Sequence, residues 1–275
     1  MNIGEIEVLP VIDGNAWFDA SFTYATHAPL DAKGTRDDDW VPHRGFLDGE
    51  GRFEIVFGGY LVRTGGRVML VDAGLGTRTR ASDMPGAATL ASGELLDSLA
   101  VHGVAVGDIT DVVFTHLHYD HIGWASKAGE IVFPNATYRC HQRDWDHFVG
   151  RDVAITRKLD PVTDRLELFA ADHTIAPGVD VRLATGHTPG SVLVVLSSGA
   201  ARALLIGDVV HCPVELVDDD WAGLADVDPR LARKTRIALA RELEGTDTPI
   251  GAAHFPGLAF GRLLAGEGRR QWTVS

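Results

Sequence analysis

A layered α/β fold, a four-layer αββα sandwich, is what this sequence predicts. One pattern leads there, and two further observations place a site on it. Two strand-rich halves are each followed by a helix; a cluster of metal-binding side chains sits directly behind an apolar β-branched run; and further histidines and aspartates fall at the ends of later strands. The two halves show no residue-by-residue repeat. The 275 residues suffice for a substantial core. No linker composition divides them, so residues 1–275 read as a single domain.

The first strand is expected over residues 6–12. Residues 13–51 then lose periodicity and scatter Trp17, Phe18, Phe22, Tyr24, Trp40 and Phe46 among Gly, Pro and Asp. A stretch of this length without regular structure suggests a flap over a site, with Trp17, Phe18 and Phe22 lending aromatic walls to a pocket; the plainer alternative is that these aromatics anchor the loop to the core. Residues 53–62 and 67–71 form a hairpin through Thr64-Gly65-Gly66, because paired glycines supply the positive φ of a tight turn. An amphipathic helix follows over residues 92–102, with Ser92 as N-cap, Leu95, Leu96 and Leu99 on one face and Gly103 as the stop. Residues 131–138 read as a strand and 141–148 as a short helix whose His141 and His147 are surface polar residues. Residues 153–169 have helical character that Pro161 interrupts. Strands return over 179–183, 191–196 and 203–206. Asp228-Pro229 then gives an N-cap and a first-turn proline for a helix to Glu244, whose Leu231, Thr235, Ala238 and Leu243 share a face.

The chemistry concentrates in Thr115-His116-Leu117-His118-Tyr119-Asp120-His121-Ile122-Gly123, which places three histidines and an aspartate within six positions after the apolar run 112–114. Imidazole suits zinc, and the carboxylate leaves room for a second ion. A pair of catalytic metals needs about seven protein ligands, three for each ion and one shared. His187, Asp208 and His254, each in a turn-rich segment at a strand end, can complete such a set.

Together these segments resemble the metallo-β-lactamase superfamily of dinuclear metallohydrolases. The block 115–123, Gly186-His187-Thr188-Pro189-Gly190, Gly207-Asp208 and Ala253-His254-Phe255-Pro256 occur in that family's order, and Leu70-Val71-Asp72-Ala73-Gly74 looks like its early aspartate motif. The resemblance implies that His116, His118 and His187 hold one metal, that Asp120, His121 and His254 hold the other, and that Asp208 bridges them. Asp72 would support the ligands from behind, although a plain turn residue is an equal reading. The αββα sandwich is also the fold the resemblance implies.

The expected activity is hydrolysis by two Zn²⁺, with Mn, Fe or Co as other candidates, in which a hydroxide shared by the ions attacks the substrate. A lactone or ester is preferred and a phosphotriester is the alternative. In lactonases of this family acting on acyl-homoserine lactones, a tyrosine commonly stands three places after the bridging aspartate; here that place is His211. The Asp-x-x-His pattern looks closer to methyl-parathion-type hydrolases and lactonase-like members. Asp120 and His211 are therefore the candidate catalytic residues, His211 with the competing reading of a packed side chain. Diiron oxidoreductases of the same fold usually carry glutamate where this chain has His118, which disfavours that class. A noncatalytic protein would be expected to lack ligands.

The remaining expectations come from composition. A net charge of −13 opposes a phosphate-backbone interface, so no nucleic-acid partner is expected. The apolar runs are too short for a bilayer and the N-terminus lacks a signal-peptide pattern, which points to the cytoplasm. Cys140 and Cys212 form no C-x-x-C and read as packed thiols. The partner is a small-molecule substrate, with a homodimer left open.

Overall fold

The computed structural model describes residues 1–20, 23–24, 37–77 and 86–275. Phe22 lies outside them. In chain order the strands are β1 (Asn2–Ile3), β2 (Ile6–Asp19), β3 (Arg52–Thr64), β4 (Arg67–Val71), β5 (Ala87–Ser92), β6 (Asp111–Val113), β7 (Ser126–Lys127), β8 (Glu130–Ile131), β9 (Thr137–His141), β10 (Leu166–Phe169), β11 (His173–Ala176), β12 (Val179–Leu183), β13 (Val192–Ser198), β14 (Ala201–Leu205), β15 (Ile250–Gly251), β16 (Gly261–Leu264) and β17 (Gln271–Val274). The helices are α1 (Leu95–Val101), α2 (Tyr119–Ile122), α3 (Gln142–Phe148), α4 (Val153–Leu159), α5 (Val214–Val217) and α6 (Pro229–Leu243).

One sheet runs β1-β2-β3-β4-β6-β9-β10 with β5 also paired to β2; the other runs β11 to β17 in sequence order. Period-2 alternation decides what each face buries. Val62, Met69, Val71 and Val113 meet Val181, Val194, Leu196 and Leu205 between the sheets. Their strand neighbours Leu61, Leu70 and Val112 pack outward on Leu95 and Leu99 of α1 and Ile155 and Leu159 of α4. Leu193, Leu204 and Ile206 pack outward on Leu239, Ala240 and Leu243 of α6. The four layers are therefore helix, sheet, sheet and helix. The turn between β3 and β4 is Gly65-Gly66, at φ +54° and +78°, conformations that cost glycine nothing.

Five expectations need correction. The first strand does not stop at Ile12 but continues to Asp19, so the loop insertion expected at 13–51 starts as strand. The reason is a register shift between Ile12 and Gly14: the extra residue, Asp13, inverts the alternation and hides the period. Asp13 is fully buried. Its carboxylate accepts from the backbone N–H of Leu75, Gly76, Gly93 and Leu95 and from Trp124 Nε1. It thereby supplies the start of α1 with acceptors, whereas Ser92 ends β5 and caps nothing. The strand expected over 131–138 is split into β8 and β9, with Pro134 and Asn135 lying between them. His141 is buried, and its Nδ1 accepts from Arg143 N at the start of α3. Helix α6 buries Ala232, Arg236, Leu239, Ala240 and Leu243, while Leu231 is exposed; the expected face is rotated because its centre holds a charged residue. No helix among the described residues is long and apolar enough to cross a membrane.

Candidate metal centre

Strand ends bring the side chains together. β6 leads into His116, His118 and α2, which carries Asp120 and His121; the loop after β12 carries His187, the turn after β14 carries Asp208, and the segment after β15 carries His254. His187 Nε2 lies 3.2 Å from His116 Nε2 and 2.9 Å from His118 Nδ1, and those two are 3.1 Å apart. These separations are close to the roughly 3.3 Å edge of a tetrahedron with Zn–N bonds of about 2.0 Å. Asp208 Oδ2 lies 3.0 Å from His254 Nε2, 3.2 Å from His121 Nε2, 3.4 Å from His187 Nε2 and 3.7 Å from His116 Nε2. Asp120 Oδ2 closes the second group, 3.5 Å from His254 Nε2 and 3.9 Å from His121 Nε2. His116, His118, His187 and Asp208 thus form one potential ion-binding group and Asp120, His121 and His254 another, while Asp208 also groups with His211 and His254.

The partners of the outer nitrogens favour one tautomer for four of these rings. His187 Nδ1 faces Asp226 Oδ1 at 3.0 Å, His121 Nδ1 faces Asp72 Oδ2 at 2.9 Å, and His254 Nδ1 donates to Val56 O at 2.8 Å. Thr115 Oγ1 donates to Asp72 Oδ2, leaving its lone pairs for His116 Nδ1 at 3.2 Å. In the neutral rings of His116, His121, His187 and His254 the inner nitrogen therefore carries a lone pair, and these lone pairs converge on one another and on the Asp208 carboxylate. Such an arrangement repels itself unless cations lie within it. His121 Nε2 and Asp208 Oδ1 are buried atoms without a hydrogen-bond partner, as expected of atoms that serve as ligands. The donor set fits divalent metal ions.

The electrostatics agree. Burial drives the pKa values of His118 and His187 down to about 3, which keeps both rings in the neutral, ligating form. For His187 the neighbouring His211 and His121 push the same way, while the Asp208 carboxylate opposes them. Burial works against a charge on His121 as well, but Asp208, Asp72 and Asp120 overrule it and hold its pKa well above the ordinary value. Asp208, which burial alone would raise, is held well below the usual carboxylate range by His121, His254 and His211. Both shifts express one demand for positive charge at the centre.

The floor of a cleft of about 630 Å³ is formed by His118, Asp120, His187, Asp208, His211 and His254, with Phe18, Ile55, Phe57, Phe148 and Leu224 on its walls. His211 Nε2 is 3.3 Å from Asp208 Oδ2, and its ring stacks on His254 at 5.4 Å and 9°. Burial disfavours its charge, but Asp208, with Glu215 and Asp226 behind, raises its pKa to about 9. Of the aromatics expected to wall the pocket, Phe18 does line this cleft. Trp17 does not: successive strand residues face opposite ways, and it lines an adjoining cavity of about 710 Å³ with Phe46, Phe255 and Trp272, which meets the cleft at His211. Tyr24 and Trp40 pack with Phe53 and Trp221 in an aromatic cluster, as core anchors.

Several site residues escaped the sequence reading. Asp144, fully buried, accepts from Leu117 N, Thr188 Oγ1 and Gly190 N, and so ties the first histidine loop to the His187 loop. Asp226 partners His187, and Glu215 accepts from His211 N and Cys212 N. Nothing in their local sequence separates them from solvated acids; the one available signal was Asp226 standing two places before a helix cap.

The family model of the metallo-beta-lactamase superfamily matches residues 59–254. N-acyl homoserine lactonases of Bacillus thuringiensis are 21% identical over 201 residues, covering 70% of this chain and 77% of theirs. Among solved structures, AidC, a dizinc quorum-quenching lactonase in complex with a product, superposes with a TM-score of 0.82 at 22% identity, covering 99% of this chain and 95% of that one. The hydrolase AbOPH of the beta lactamase superfamily gives 0.79 at 22% identity over the same shares of the two chains. With the layered sheets, the motif order and the family match all coinciding over the converging histidines, the chain belongs to the metallo-β-lactamase superfamily.

Proposed function

We propose that this chain is a dinuclear zinc hydrolase acting on a small-molecule lactone or ester. The observation that carries the reading is the position of Asp208 Oδ2, within 3.0–3.7 Å of histidines from both ligand groups, on the floor of an apolar-walled cleft. When bound, two divalent ions supply Lewis acidity and lower the pKa of water into the neutral range.

The chain's own residues do the rest. Phe18, Ile55, Phe57, Phe148 and Leu224 offer an apolar bed for a substituent and keep bulk water from the floor. Asp120, with 20% of its side chain exposed, is open to the cleft and placed to accept a proton. His211 holds one at Nε2, beside Asp208, where it can be delivered to a departing oxygen. The relatives named as lactonases support the preference for a lactone. A phosphotriester is the second reading, favoured by His211 at the position where similar lactonases carry tyrosine.

A panel of acyl lactones, aryl and alkyl esters, lactams, thioesters and phosphotriesters, assayed with the zinc-loaded chain, tests the proposal. Lactones or esters should show the highest kcat/KM; turnover of phosphotriesters alone contradicts the first reading. In the same panel Phe18→Ala should lower kcat/KM for long-chain acyl lactones by about tenfold more than for short ones, whereas Trp17→Ala should affect both chain lengths alike. Equal behaviour of the two variants would remove Phe18 from substrate binding.

A further inference from the structure

Behind the three-histidine group lies a charged assembly centred on an arginine to which the proposed chemistry gives no role. Arg236, on α6, is only 2% exposed. Its Nη1 lies 3.5 Å from Glu215 Oε2 and 3.8 Å from Asp226 Oδ2. Neither of those carboxylate oxygens has a hydrogen-bond partner. Each acid uses its other oxygen toward the site: Asp226 Oδ1 faces His187 Nδ1 at 3.0 Å, and Glu215 Oε1 accepts from His211 N, Cys212 N and Tyr24 OH. The guanidinium is itself anchored by donating to Val209 O and Trp221 O. A buried cation is thus shared by two buried anions, one behind a candidate ligand and one behind His211.

The surrounding backbone is shaped for this contact. A Cβ on Gly223 would come within 2.5 Å of Asp226 Oδ2 and 2.7 Å of Arg236 Nη1, so a side chain there would have to displace one member of the pair. That loop is tied to the His187 loop by Val227 N to His187 O and Asp228 N to Gly186 O, both at 2.9 Å. The other ligand group has separate supports, Asp72 behind His121 and Val56 O behind His254.

We infer that Arg236 is a positioning residue for one of the two metal sites: through Asp226 it fixes the ring of His187, and through Glu215 the loop bearing His211. The inference rests on the dinuclear reading above. Two carboxylates facing one guanidinium lose their common anchor when it is removed, and Asp226 is then free to turn from His187. Partners of this kind fix the tautomer and orientation of a ligating histidine, and their loss typically weakens metal binding by about 10- to 100-fold.

The test is zinc titration of the full chain against a chromophoric chelator, with Co²⁺ absorption spectra as a second readout. Asp226→Asn, nearly isosteric, and Arg236→Met should each weaken one of two zinc equivalents by about tenfold or more and leave the other unchanged. Arg236→Lys should restore part of the loss. The double variant should bind little worse than the weaker single, because the arginine acts through the aspartate. Should Arg236→Met fail to fold, Asp226→Asn and Arg236→Lys carry the test. Wild-type affinity for both equivalents in folded variants, or equal weakening of both, overturns the inference while leaving the dinuclear reading intact. A wild-type chain that binds no zinc removes both.

Discussion

Asp208→Ala should reduce bound zinc from two equivalents per chain to one or fewer and lower lactone or ester turnover by at least about 10²-fold. The expectation follows from geometry: a single oxygen, Oδ2, stands 3.0 Å from His254 Nε2 in one group and 3.4 Å from His187 Nε2 in the other. Alanine removes the shared anchor and leaves the two groups without a common anion. Metal analysis beside kinetics on the same preparation checks it. Two retained zincs with full activity would remove Asp208 from its bridging place.

His211→Ala should keep both metals yet lower kcat by about 10²-fold, the usual contribution of a positioned acid or base. Its ring is held by three neighbours: the backbone bond from His211 N to Glu215 Oε1, the stack on His254, and the approach of Nε2 to Asp208. If the proton on Nε2 goes to the leaving oxygen, alkyl esters should lose more than aryl esters, whose oxygen departs with little help. Equal losses with metals and fold intact would exclude leaving-group protonation and leave His211 a packing role.

Much of this centre was readable because its determinants are local. His116, His118, Asp120 and His121 fall within one short segment, His187 and Asp208 each follow a strand of ordinary apolar pattern, and His254 lies in a turn-rich segment after the two-residue strand β15. Their side chains do converge. Residues that act across the fold were not readable. Asp13 looked like the first residue of a loop because it sits at a bulge, where the alternation inverts. The face assigned to α6 from Leu231, Thr235, Ala238 and Leu243 left out Arg236; burial of Ala232, Arg236, Leu239 and Leu243 has helical spacing, with the charge in its middle. Asp226 and Glu215 gain their meaning only from partners far away in sequence. The side of β2 on which Trp17 falls was likewise set by the bulge at Asp13, earlier in the same strand.

The most direct test of the central claim is a zinc titration of activity. The chain is stripped with a chelator, zinc is returned in fractional equivalents, and turnover of the best lactone or ester is followed together with bound metal. Activity should be absent without metal and should rise to a plateau at two equivalents per chain, as two ligand groups sharing Asp208 require. Full turnover by the stripped chain, or none with two zincs bound across every substrate of the panel, would contradict the account.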